Sequence, residues 1–80
     1  MKQIRVDYFA SFRDFTGKSE ESIAADVTNA LELYGQLSEQ YAFSLPADSV
    51  RVAVNDEFSD WQTTLEDGDR VVFIPPVAGG

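Results

Sequence analysis

The chain opens on a strict alternation. Over residues 2–9, Ile4, Val6 and Tyr8 share one face and Arg5, Asp7 and Phe9 the other, which predicts a strand at period two. Phe9, Phe12 and Phe15 then recur at three-residue spacing around Arg13 and Asp14. That spacing predicts one or two helical turns, closed by Gly17, which is free to take positive φ. Alternation returns over residues 20–27 through Ile23, Ala25 and Val27, a second strand expected antiparallel to the first. Ala30, Tyr34, Leu37 and Tyr41, with Leu33 alongside, draw one apolar stripe at helical spacing. The helix it predicts is capped by Thr28 and runs to about Phe43, with Gly35 a mild weakness inside it. Val50, Val52 and Val54 alternate with Arg51, Ala53 and Asn55 as a third strand, and Asn55-Asp56-Glu57 turns into a short return strand at Phe58. Trp61 and Leu65 fall in irregular chain. Asp67-Gly68-Asp69 then turns into Arg70-Val71-Val72-Phe73-Ile74, a β-branched run that reads as a strand buried on both faces. Pro75 and Pro76 stop it, because neither offers an N–H to a ladder.

This order (strand, short helix, strand, long helix, strand, short strand, strand) predicts an α+β domain. A mixed sheet of four or five strands packs on one main helix, the β-grasp arrangement of ubiquitin-like proteins. The first and last strands are expected as the central, parallel pair, apolar on both faces and joined through the helix. Eighty residues build one core. The domain is therefore assigned to residues 1–74, and an extended tail to residues 75–80.

Composition narrows the chemistry. The chain has no cysteine and no histidine, which removes disulfides, thiolate metal sites, Cys nucleophiles and the commonest general base. Its serines lack a basic partner in any nucleophile pattern. Asp67 and Asp69 read as turn formers, and Asp48, Asp56, Glu57 and Asp60 as solvated loop charges without the spacing of a calcium loop. Fourteen acids against six bases leave a net charge of −8. Such a surface repels nucleic-acid backbones and anionic membranes and attracts a basic protein partner. No stretch approaches the roughly 18 apolar residues of a spanning helix, and charges interrupt the first apolar run, so a soluble cytoplasmic protein is expected.

What remains is the end of the sequence, Pro75-Pro76-Val77-Ala78-Gly79-Gly80. Six residues extend about 20 Å at roughly 3.3 Å each. The prolines lower the entropy lost when a partner fixes the tail, Val77 and Ala78 offer modest apolar contact, and the glycines let backbone pass where a Cβ would clash. A carboxylate on Gly80 at the tip of such a probe suits delivery into another protein's active site. It must first be activated, most simply by adenylation with AMP as the leaving group. Beside the tail, Val72 and Ile74 are expected to point away from the core if Val71 and Phe73 point into it. With Phe9 they would form a partner-binding patch, and Arg13 a charged contact at its edge unless it pairs with Asp14.

Asp67-Gly68-Asp69, Val71, Phe73 and the closing Pro-Pro-Val-Ala-Gly-Gly resemble the C-terminus of the molybdopterin synthase small-subunit family. Tyr8-Phe9-Ala10 with Arg13 and Gly17, Glu32-Leu33-Tyr34 with Leu37, and Ala53-Val54-Asn55 are similar to its first strand and turn, helix and third strand. The resemblance implies a β-grasp sulfur carrier that binds no cofactor itself. Gly80 would be adenylated with ATP by a ubiquitin-activating-enzyme-like adenylyltransferase and converted to a thiocarboxylate. The tail would then enter the large synthase subunit and give sulfur to cyclic pyranopterin monophosphate, in a heterotetramer of two carriers and two large subunits. The active site would lie on the large subunit. A carrier or modifier for thiamine synthesis or tRNA thiolation shares the fold and the two glycines, and a plain interaction module with a passive tail is the other alternative.

Overall fold

The computed structural model describes residues 1–76. Its elements are β1 (Lys2–Tyr8), α1 (Ser11–Thr16), β2 (Glu20–Ala25), α2 (Ala30–Tyr41), β3 (Arg51–Val54), β4 (Glu57–Ser59) and β5 (Arg70–Ile74), with a single 3-10 turn at Ala47–Ser49. The strands form one sheet in the order β2-β1-β5-β3-β4. β1 and β5 are parallel neighbours and every other pairing is antiparallel, so the expected parallel pair lies at the middle.

Sequence alternation translates directly into faces. Ile4, Val6, Tyr8, Val52, Val54, Val71 and Phe73 join Ala30, Leu33, Tyr34 and Leu37 of α2 in the core. The opposite face of β1 carries Arg5 and Asp7, so only β5 is apolar on both faces, a correction to the expectation for the pair. β1 ends at Tyr8, because Ala10 turns to φ 50° and starts α1. Gly17 closes α1 in the left-handed region, its N–H donating to the Arg13 carbonyl at 2.7 Å.

The helix cap differs by one residue from the sequence reading. Asn29, not Thr28, caps α2: its Oδ1 accepts the Glu32 N–H at 2.9 Å. Glu32 reaches back to the Thr28 N–H, also at 2.9 Å. Thr28 itself is held by the loop, since its carbonyl accepts from Leu65 N–H. α2 stops at Tyr41 rather than Phe43 because Ala42 adopts a left-handed conformation. β3 and β4 join through Asn55 and Asp56, both at positive φ (51° and 71°), as a two-residue hairpin turn requires.

Candidate functional site

β5, the middle strand, leads to the tail. On its core side Phe73 is fully buried. Its ring lies 6.0 Å from Phe12, 5.2 Å from Tyr34 and 6.0 Å from Trp61, the last nearly parallel at 20°. Trp61 was expected only in irregular chain; the structure makes it the lid of this aromatic cluster. The residue before the prolines is thus anchored one position away from this aromatic cluster. Pro75 is half-buried and Pro76 exposed. Val77, Ala78, Gly79 and Gly80, singled out for insertion and activation, lie outside the described residues.

On the other face, Val72 stands between Asp7 and Ala53 in register, and Ile74 beside Arg51. Both point away from the core as expected. Their exposures differ: Ile74 is half-buried, whereas Val72, in the middle strand between Asp7 and Ala53, keeps only 7% of its surface. The exposed three-residue cluster anticipated from sequence is therefore narrower, with Phe9 (48% exposed) and Ile74 supplying the accessible apolar surface. Arg13 donates from Nε to the Tyr8 carbonyl at 3.1 Å and forms no ion pair with Asp14. That bond places it at the end of β1, next to Phe9.

Two residues of this face were missed. Phe58 on β4 lies opposite Ala53, is 65% exposed, and carries the Arg51 guanidinium 4.7 Å above its ring. The signal was available: carrying the β3 alternation across a two-residue turn puts Phe58 on the same side as Ala53. Farther along the face, Asp7 bridges Arg70 (2.9 Å) and Arg5 (3.6 Å), while Arg5 also pairs with Glu20 and Arg70 with Asp56.

Behind Phe9 a polar knot fixes the end of β1. Glu21 accepts from the hydroxyls of buried Tyr8 and of Tyr41, and from Lys18 Nζ at 3.1 Å. Desolvation, then the carboxylate of Glu21, push the Tyr8 phenol far above its ordinary range. Burial acts to raise Glu21, but its three donors outweigh it and hold the carboxyl below its usual value. Lys18 is raised by its hydrogen bonds to Tyr41 and Glu21. These groups tie strands to helix, and none is placed to attack a substrate. Among the described residues there is no enclosed pocket, no cluster of metal-ligating side chains and no helix long and apolar enough to cross a membrane.

The fold is that of a ubiquitin-like β-grasp domain whose middle strand runs out beside a partly apolar outer sheet face. The family model described as the ThiS family matches residues 6–80, and the chain belongs to that family. It is 34% identical over 80 residues to the molybdopterin synthase sulfur carrier subunit of Escherichia coli, covering 96% of this chain and 99% of that one. It is 35% identical over 83 residues to the sulfur carrier subunit of Mycobacterium tuberculosis, covering 100% of both. Among solved structures, it resembles a protein-protein complex of subunits 1 and 2 of the molybdopterin-converting factor from Helicobacter pylori. The TM-score is 0.69 at 28% identity, covering 98% of this chain and 99% of that one.

Proposed function

We propose that this chain is the sulfur carrier subunit of a molybdopterin synthase. The observation that carries the reading is the placement of β5: the middle strand of the sheet, anchored at Phe73, leads straight into Pro75-Pro76-Val77-Ala78-Gly79-Gly80. The similarity to sulfur carrier subunits over essentially the whole chain supports it. In this reading an oxygen of the Gly80 α-carboxylate attacks the α-phosphorus of ATP on a ubiquitin-activating-enzyme-like adenylyltransferase, and pyrophosphate leaves. A sulfide-equivalent nucleophile then attacks the acyl carbon and expels AMP, leaving a thiocarboxylate. The tail carries that sulfur into the large synthase subunit, where cyclic pyranopterin monophosphate receives it and hydrolysis restores the carboxylate. Residues 1–76 position and dock, while ATP and pterin are handled by the partners. The Helicobacter pylori complex supports a large subunit as the docking partner.

The test is chemical. Incubation with the activating enzyme, ATP and a sulfur donor is expected to replace one terminal oxygen by sulfur, read by intact mass. Deleting Gly80 withdraws the carboxylate by roughly 3.3–3.6 Å. A misplacement of about 1 Å can already cost a hundredfold in rate, so the deletion should take up no sulfur. Gly79→Val should keep the fold and obstruct tail entry. Equal sulfur uptake by the Gly80 deletion overturns the reading, and capture of a large synthase subunit by the intact chain separates this pathway from thiamine or tRNA thiolation.

A further inference from the structure

Charge is sorted along the outer face of the sheet. Where β5 begins, Arg5 and Arg70 stand side by side in register and are paired off by Asp7, Glu20 and Asp56. Where β5 leaves toward the tail, Arg51 stands beside Ile74, and Arg13 holds the carbonyl of Tyr8 next to Phe9. Among the described residues neither of these two guanidiniums forms an ion pair. In a chain with fourteen acids and six bases, unpaired arginines on both sides of the tail root run against the overall charge.

Arg51 is also pre-oriented. Its guanidinium carbon lies 4.7 Å from the centroid of the Phe58 ring, a cation–π contact that restrains the side chain at the surface, where its N–H donors suit a carboxylate. The hairpin beneath is braced, since Asn55 accepts the Arg70 N–H and donates to Asp69, both at 3.0 Å. Exposed aromatics and arginines are both enriched at protein interfaces, and restraining the pair before docking lowers the ordering cost of association.

We propose that Arg51 and Phe58 form a receptor for a carboxylate on the protein that takes up the tail. The partner then presents an acidic side chain beside an apolar seat for Ile74, the reverse of what the net charge of −8 suggests. The inference rests on the carrier reading, which makes that protein the large synthase subunit. The experiment measures the Kd of the full chain for the large molybdopterin synthase subunit by calorimetric titration, with thermal melts of each free variant. R51Q should bind about tenfold more weakly and R51E about a hundredfold. Q36E, which adds a negative charge on the exposed side of α2, should stay within about twofold, since screening removes most long-range charge effects. R51E binding as tightly as R51Q or tighter, or Q36E weakening binding as much as R51Q, overturns this inference while leaving the carrier reading intact. Should R51E fail to fold, the contrast between R51Q and Q36E still decides. No binding by the wild-type chain overturns both.

Discussion

On the helix side of the sheet, Val71 and Phe73 are fully buried among the side chains of α1, α2 and the Trp61 loop. On the opposite side of the same strand, Val72 and Ile74 sit in a single layer among Arg5, Asp7, Arg51 and Arg70, and among the described residues no helix or strand is stacked above them. Alternate residues of one strand thus do different work. The inner set supplies the apolar burial that folds an 80-residue domain with a thin margin. The outer set is held in place by that packing and contributes less to it, so it is free to serve a partner. The comparison predicts that substitutions on the inner face register in stability and those on the outer face in binding.

The largest effect should come from Phe73→Ala. Removing the ring at the centre of the aromatic cluster should cost about 3–5 kcal/mol in urea unfolding, much of the stability of a small domain. A loss below about 1 kcal/mol would break the distinction between the faces.

Glu21 comes next. Glu21→Gln exchanges charge-assisted hydrogen bonds from Tyr8, Tyr41 and Lys18 for neutral ones, with an expected loss of about 1.5–3 kcal/mol at neutral pH. The sign with pH follows from the lowered carboxyl. Its contribution is complete above the ordinary value of 4.5 and is lost as pH falls through the lower folded value. Wild-type stability should therefore drop more steeply than that of the variant as the pH falls below 4.5. Parallel curves would show that the knot is electrostatically idle.

On the outer face, Ile74→Ala and Phe9→Ala should each weaken association with the large subunit by about 1–3 kcal/mol. Their unfolding free energies should stay within about 1 kcal/mol of wild type. If either unfolds the domain while binding persists, the outer face belongs to the core.

Most of the architecture was legible because burial imposes a period on the chain. The alternation of Ile4-Val6-Tyr8 and Val50-Val52-Val54 and the stripe from Ala30 to Tyr41 placed β1, β3 and α2, and the apolar run from Val71 to Ile74 placed β5 and set Val72 and Ile74 on its outer face. Local chemistry misplaced the cap by one residue: Thr28 suits the position by type, but Asn29 Oδ1 takes the Glu32 N–H while the Thr28 carbonyl is bound by Leu65 N–H, a contact from a distant loop. Contacts between residues distant in sequence left no local signal. Trp61 over Phe73 and Glu21 under Tyr8 and Tyr41 each depend on strand register or loop path. The narrow exposure of Val72 reflects its place in the middle strand of the sheet, which periodicity does not report.

The smallest expected effect is also a gain. Gly35 lies within α2, exposed, with ordinary helical φ and nothing within 4 Å of where a Cβ would stand. Gly35→Ala restricts the unfolded chain and meets no steric obstacle in the folded one, so it should stabilise by about 0.5–1 kcal/mol. In a domain of this size that raises Tm by about 4 °C. Gly35 points to solvent on the side of α2 away from the sheet, whereas Ile74 and Phe9 belong to the sheet's other face. Affinity for the large subunit should therefore be unchanged. Stability and binding would then move independently in opposite tests: Gly35→Ala alters only the first, and Ile74→Ala chiefly the second. A Gly35→Ala chain that is more stable yet binds measurably worse would show that docking draws on helix flexibility, and the division of labour between the faces would fail.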